Sequence, residues 1–212
     1  MRIFNPVATS FRVAAFALLF GCPITPADAQ SFSAGLRAGM TATQVDGDTY
    51  EGFDKAGLLG GIFVERSLSE RFSLRMELDY IQKGSRKPLD KDDNSYYRMR
   101  VNYLEVPFVA RYRAGKKITL QGGPAFGVLV FSQEDDQTGV LIYSPPFRKY
   151  EYSISAGLLY DLSEKVGVDV RYGFSVVPIR PFDFYATFVY WDKGQFNSVI
   201  QLSLQYRFGS GE

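Results

Sequence analysis

The chain has 212 residues, enough for one domain of ordinary size, and its formal net charge of +1 gives no indication of nucleic-acid binding. It contains no histidine and one cysteine, Cys22, which excludes Ser-His-Asp and Cys-His catalysis and any metal site built from histidine. We therefore predict a protein that is not an enzyme and that binds neither a cofactor nor a metal.

The start of the chain has the features of a secretory leader: a basic beginning, a short apolar run, and small residues before a cleavage point. In order, these are Arg2 and Arg12, residues 13–20, and Ala27 and Ala29 before Gln30. The apolar run is far shorter than the roughly 20 residues of a transmembrane helix. We predict a signal peptide over 1–29 and a single domain over 30–212, with lipidation at Cys22 as an alternative.

Eight later segments alternate apolar and polar residues, and in each of them the apolar face carries no charge. In chain order they are 32–40, 56–64, 72–80, 104–112, 118–130, 150–162, 166–176 and 198–208. A period of two residues is the period of a β-strand. Apolar faces with tyrosine and phenylalanine near their ends are typical of strands whose outer side meets lipid. The pattern predicts an all-β fold: an eight-stranded antiparallel up-and-down transmembrane β-barrel.

The connections between these segments alternate between short and long. The short ones are 67–71, 115–117 and 163–165, and the long polar ones are 43–55, 84–98, 132–149 and 177–197. Bacterial outer-membrane barrels have short periplasmic turns and long outer loops. We therefore expect the long loops to face the outside of the cell. Their aromatic residues are candidates for contact with lipopolysaccharide or a partner: Tyr96, Tyr97, Tyr143, Phe147, Tyr185, Tyr190 and Trp191.

The polar faces carry nearly balanced charges that would point into the barrel. The predicted lumen network consists of Arg37, Glu65, Arg75, Glu77, Asp79, Glu105, Arg111, Asp169 and Arg171. An eight-stranded barrel is just wide enough for side chains to fill it, and unpaired buried charges are costly. The network is therefore predicted to plug the lumen, with a solute path as the alternative. Glu77 and Asp79 share a face, but Arg75 shares it too, so ion pairing explains the three residues without catalysis.

Two prolines and one acidic loop have structural interpretations. Pro107 and Pro124 lie inside predicted strands, and each predicts a bulge or a local break in strand pairing, because proline cannot donate a backbone hydrogen bond. The loop at 90–94 begins like a calcium loop but lacks the glycine and the bidentate glutamate that such loops require. We interpret it as a solvated loop. A weak calcium site that also uses Glu134, Asp135 and Asp136 is the alternative.

Several short runs resemble the PorT-like outer-membrane β-barrel domain family of Bacteroidetes-type bacteria. They are GLRAG at 35–39, ELDYIQKG at 77–84, YLEVP at 103–107, GGPAFG at 122–127 and YRF at 206–208. The resemblance covers nearly all of the chain after the leader. It implies a barrel fold and an outer-membrane location, but no defined activity.

These observations favour a structural or surface-interaction role through the long loops. Two alternatives remain open: an accessory role in secretion or small-solute passage, and a soluble lipocalin-like barrel that binds a ligand. The expected partners are outer-membrane lipid, lipopolysaccharide, and the barrel-assembly machinery, which would read the last strand ending at Phe208. We expect a monomer that binds no nucleic acid.

Overall fold

The computed structural model describes residues 32–48, 50, 52–89, 94–141, 144–181 and 194–208. The predicted leader, with Ala27, Ala29 and Gln30, lies outside the described residues, as do Tyr143, Tyr185, Tyr190, Trp191 and residues 90–93. In the described part of the chain, no helix is long and apolar enough to cross a membrane.

Eight long strands form a closed antiparallel barrel in the order β1-β2-β3-β5-β6-β8-β9-β11, and three two-residue strands extend it at one end. The strands are β1 Phe32–Asp46, β2 Lys55–Ser67, β3 Phe72–Lys83, β4 Arg86–Lys87, β5 Tyr97–Arg113, β6 Ile118–Asp136, β7 Gly139–Val140, β8 Tyr150–Asp161, β9 Val166–Ser175, β10 Arg180–Pro181 and β11 Gly194–Arg207. The first strand pairs with the last, from Gly35 opposite Arg207 to Asp46 opposite Phe196. The predicted fold class is confirmed.

Tight turns join the long strands at one end of the barrel, which we call the short-turn end. The backbone N–H groups of Leu68, Ala114 and Leu162 donate to the carbonyl oxygens four residues on, at 2.9, 3.0 and 2.9 Å. In two of these turns, a serine hydroxyl also accepts from the backbone, as Ser163 does from the N–H of Val166 at 3.1 Å. Serine commonly stabilises turns in this way. The opposite end of the barrel is the long-loop end.

Large apolar side chains cover the outside of the barrel, in what we call the lipid-facing band. Met40, Leu202 and Val170 lie side by side on β1, β11 and β9 and are 58%, 53% and 46% exposed. At the alternate positions, Arg37 and Arg171 are 3% and 2% exposed. Charged residues therefore face inward and apolar residues outward, as period-two alternation around a membrane barrel requires.

Beyond the band, several strands continue as a rim at the long-loop end. The band ends at Leu58 on β2, Tyr80 on β3 and Leu104 on β5, and we call everything beyond it the long-loop rim. β5 has 17 residues and β6 has 19, whereas about 9–11 residues suffice to cross a membrane. The prediction that 84–98 and 132–149 are loops is therefore wrong where they adjoin these strands.

The two prolines and one bulge interrupt the pairing of β5. The β3–β5 pairing runs to Met76 opposite Phe108 and resumes at Asp79 opposite Glu105, so it skips Pro107. The β5–β6 pairing likewise skips Pro124. Both prolines therefore lie at breaks, as predicted. The register of the β5–β6 pairing shifts between Asn102 and Tyr103, which leaves Val130 of β6 as an extra, bulged residue. After this bulge, the residues of β6 that would have pointed outward point into the barrel, and those that would have pointed inward point out.

Candidate functional site

The centre of the lumen is an ion-pair cluster around Glu77. The Arg171 guanidinium donates to both carboxylate oxygens of Glu77, at 2.6 and 2.8 Å, and Arg37 donates to one of them. Arg37 also reaches Asp79 at 3.3 Å, and Arg171 reaches Asp169 at 2.8 Å. All five side chains are at most 3% exposed. Charges buried this deeply are tolerated only when paired, and here each one is.

A second cluster lies nearer the short-turn end, around Glu65. Its carboxylate accepts from Arg75 at 2.6 and 3.0 Å, from Arg111, and from the Ser73 hydroxyl at 2.6 Å. The Arg75 guanidinium also lies 3.7 Å from the centroid of the Phe63 ring, so it stacks on an aromatic face. Arg75 and Glu77 approach to 3.6 Å, which joins this cluster to the central one.

The last member of the predicted set, Glu105, belongs to a third group. Lys83 binds Glu105 and also lies 3.0 Å from Glu151, and the Asn197 amide donates to Glu151 at 3.1 Å. All nine predicted lumen residues thus take part in ion pairs, in three groups. Eight of them pair with a residue of another strand, and Asp169 pairs with Arg171 on its own strand, β9. The structure adds Lys83 and Glu151 to the lumen network. Both residues lie on the polar faces of the alternating pattern.

An apolar layer also fills the barrel toward the long-loop end, and the sequence analysis missed it. Its members are Val45, Leu59, Ile81, Met99, Val101, Tyr103, Ile179 and Val199, all at most 4% exposed. The signal was present as pairs of neighbouring apolar residues where alternation fails, such as Leu58 with Leu59 and Val199 with Ile200. One residue of each pair faces lipid and the other faces the lumen.

In the part of the chain that the structure describes, the cavities beside these charged groups are small. A lumen cavity of about 20 Å³ lies beside Lys83, Glu105 and Asn197. A single water needs roughly 10–15 Å³ by the same measure, so this cavity has room for about one water. It is far too small for a sugar, a nucleotide or a lipid chain.

At the long-loop rim, an ion pair ties β6 to β10. Arg180 donates to both carboxylate oxygens of Glu134 at 3.0 and 2.6 Å, and its guanidinium lies 3.8 Å from the Phe147 ring centroid. Burial raises the pKa of Glu134, but hydrogen bonds from Arg180 and Tyr97 outweigh it, so the pKa is lower than usual. Glu134 therefore binds an arginine here, whereas the calcium alternative made it a ligand. No group of three or more acidic side chains suited to a metal occurs among the described residues.

The sequence has a family match that agrees with this geometry. Residues 28–179 match the family described as the outer membrane protein beta-barrel domain. The chain belongs to this family. This outer-membrane β-barrel protein is therefore located in the bacterial outer membrane. No curated protein matches its sequence.

Three bacterial proteins are among the solved structures to which this chain is similar. Neisserial surface protein A is 12% identical with a TM-score of 0.51, and the match covers 82% of this chain and 97% of that one. Ail, the attachment invasion locus protein of Yersinia pestis, is 13% identical with a TM-score of 0.49, covering 84% and 99%. OprG of Pseudomonas aeruginosa is 9% identical with a TM-score of 0.41, covering 85% and 98%. At these identities the first match supports the fold and nothing further.

Proposed function

We propose that this outer-membrane β-barrel is a closed, non-conducting protein whose work is done at its long-loop rim, which faces the outside of the cell. The filled lumen is the observation that carries the proposal. Two ion-pair clusters around Glu77 and Glu65 occupy the barrel's interior, and the cavity beside Lys83 measures about 20 Å³. A protein built this way offers its rim and its outer surface for contacts, rather than a path for solutes.

The rim itself supports a role in surface contacts. The start of β5 and the end of β6, which pair up to Tyr97 opposite Asp136, extend past the lipid-facing band, and β7 pairs with the end of β6 at Asp136. Residues 132–136 alone add roughly 16 Å at the usual rise of a strand. The Glu134–Arg180 pair, at 2.6 Å, holds the neighbouring connection against it. An ordered projection of this kind suits recognition, because little chain entropy is lost when it binds.

The other functional readings have weaker support. A soluble lipocalin-like barrel needs an apolar interior and a polar outside, whereas Leu74 and Leu204 are 51% and 57% exposed on the outer surface here. That alternative is wrong. An accessory role in secretion or solute passage stays a proposal by analogy, without a feature in the lumen that favours it. Within the wider family, we also propose membership of the PorT-like group, on the short runs from 35–39 to 206–208.

The purified protein should not conduct ions as a porin does. In planar bilayers we expect no large, steady single-channel steps, because paired side chains fill the lumen of an eight-stranded barrel. Correct folding is checked in the same preparation by the shift in electrophoretic mobility on heating. Stable high conductance that changes ion selectivity in Glu77→Gln would show that the lumen is a pathway and would overturn the proposal.

The orientation can be tested separately with inserted protease sites. A site placed after Gln137, in the exposed turn between β6 and β7, should be cut on intact cells, because that turn lies on the long-loop rim. A matched site after Gly115, in the exposed turn between β5 and β6, should be cut only after the outer membrane is opened. Cleavage at Gly115 in sealed cells would reverse the orientation.

A further inference from the structure

A cationic pocket opens at the long-loop rim, where the start of β2 meets β4 and the start of β5. Its volume is about 360 Å³, and we call it the rim pocket. Four of its lining side chains are cations, and one, Asp135, is an acid. The cations are Lys55, Arg86, Lys87 and Arg98. Asp135 lies 3.2 Å from Arg100, so its charge is already shared with a fifth cation.

Two of these cations lie directly opposite each other. In the β4–β5 pairing, Arg86 is the partner of Arg98 and Lys87 is the partner of Tyr97. Like charges in directly opposed positions destabilise a strand pair. In the described part of the chain, neither arginine forms an ion pair with a carboxylate. An anion bound between them would turn this repulsion into attraction.

Lys55 is a buried cation of the rim pocket. It is 5% exposed, and it has no acidic partner within the described residues. Burial, followed by the charges of Arg98 and Arg100, lowers the pKa of Lys55 to about 8. Lys55 lies three residues beyond Leu58, outside the lipid-facing band. A buried ammonium next to cations is unfavourable unless an anion accompanies it.

The distance of the rim pocket from the lipid-facing band indicates that the anion is part of a lipid headgroup. On β3 and β5, the Asn102 amide donates to the Tyr80 hydroxyl at 2.8 Å, at the edge of the lipid-facing band. Arg98 lies four residues before Asn102 in β5, roughly 13 Å along the strand toward the long-loop end. This distance reaches the headgroup layer, which adds about 5–8 Å on each side of the hydrocarbon core, because barrel strands are tilted. Leu89, 57% exposed, adds an apolar part to the lining.

We propose that the rim pocket binds the phosphate group of an outer-leaflet lipid headgroup, held by Arg86, Arg98 and Lys55. Charge-assisted hydrogen bonds from guanidinium groups to phosphate oxygens are strong and directional. The inference deepens the proposed surface role and rests on its orientation, because the rim must lie in the outer leaflet for the lipid to reach it.

Binding of purified full-length protein to a defined lipid tests the proposal. The probes are lipid A in mixed micelles with a zwitterionic detergent, either bisphosphorylated or stripped of phosphate, and titration calorimetry measures the affinity. Wild type should prefer the phosphorylated form. The triple variant Arg86→Gln, Lys87→Gln, Arg98→Gln should bind it roughly a hundredfold more weakly, because each basic residue near anionic lipid contributes about a factor of five.

The matched control removes three exposed arginines at the short-turn end: Arg66→Gln, Arg71→Gln and Arg113→Gln. The change in net charge is the same, so this variant should keep the wild-type affinity. An equal loss in both variants would show general electrostatic attraction and overturn the site. Because the micelle assay does not depend on orientation, a failure here is distinguishable from cleavage at Gly115 in sealed cells, which would overturn the proposed function.

Two further arms test the identity of the occupant. Inorganic pyrophosphate alone should bind far more weakly than phosphorylated lipid A, and equal affinity would identify a soluble phosphate instead of a lipid. The acids that follow Leu89 in the sequence, Asp90, Asp92 and Asp93, are replaced together by asparagine in a separate variant. If the lipid binds only this variant and not the wild type, the chain's own acids occupy the pocket, and the proposal is wrong.

The charge on Lys55 should make lipid binding depend on pH, and a purely structural role of Lys55 would not produce this dependence. It is surrounded by Arg98 and Arg100 of β5, by Arg86 and Lys87 of β4, and by Asp135 of β6. Above its pKa of about 8 it loses its charge, so affinity for the phosphorylated lipid should fall as pH rises from about 7 to 9, where a phosphomonoester is already largely dianionic. Lys55→Arg should bind without this pH dependence. The same fall in both proteins would exclude Lys55 from the site.

Discussion

Replacing Glu77 with glutamine is expected to lower the free energy of unfolding by about 3–5 kcal/mol, the cost of leaving a buried charge without its partner. Glu77 accepts from Arg171 at 2.6 and 2.8 Å and also binds Arg37, and it is 2% exposed. The variant keeps the shape of the side chain but leaves these two guanidinium groups facing a neutral amide. Urea unfolding of protein folded into lipid vesicles measures the loss.

A matched control is Glu164→Gln, in the exposed turn between β8 and β9. Its effect should stay within about 0.5 kcal/mol, as for most surface substitutions. The triple variant Glu77→Gln, Asp169→Asn, Arg171→Gln should recover part of the loss, because it removes one of the cations left without Glu77 together with both acids that this cation binds. If Glu77→Gln were as stable as Glu164→Gln, the central cluster would not hold the lumen together.

Leu202→Arg is expected to cost about 2–4 kcal/mol, the penalty for arginine near the bilayer midplane on the lipid side of a barrel. Leu202 is 53% exposed and lies between Met40 and Val170 within the lipid-facing band. Phe208→Arg, at the short-turn end of the same strand face, should cost only about 0–1 kcal/mol, because the guanidinium can reach the interface there. The same unfolding titration compares the two, and equal costs would contradict the assignment of the band.

Inward-facing positions do not serve as neutral controls for this comparison. The sequence alone suggests that arginine at Gly167, on the polar face, should cost less stability than arginine on the lipid side unless it clashes. In the structure, a Cβ atom at Gly167 would lie 3.0 Å from both the Gln205 amide nitrogen and a Leu159 methyl group. The lumen is packed as tightly as a protein core, so a larger side chain there would be destabilising for steric reasons.

The barrel could be predicted from the sequence because the membrane imposes a strict alternation on every strand. Each lipid-facing position must be apolar, so eight segments with one uncharged face predict strand number, facing and closure together. The short turns followed from the same pattern. Strands and tight turns are determined by residues that are close together in the sequence, and period-two alternation is a property of such residues.

Features that depend on contacts across the barrel could not be predicted. Simple alternation from Val128 and Val130 places Glu134 on the lipid side, but the bulge at Val130 reverses the facing, so Glu134 turns inward toward Arg180. The nine lumen charges were identifiable, but their partners were not. Which pairs meet depends on how strands are staggered around the ring, and alternation carries no information about stagger.

The central cluster joins residues that are far apart along the chain, and this has a consequence for assembly. Arg37 of β1 donates to Glu77 of β3 and to Gln201 of β11, 164 residues away. Until the last strand meets the first, these polar groups lack part of their final surroundings while lipid already borders the sheet. The pairing of β1 with β11 and the packing of the lumen should therefore occur in one cooperative folding step. Partly assembled sheets should then be poorly populated next to the unfolded chain and the complete barrel.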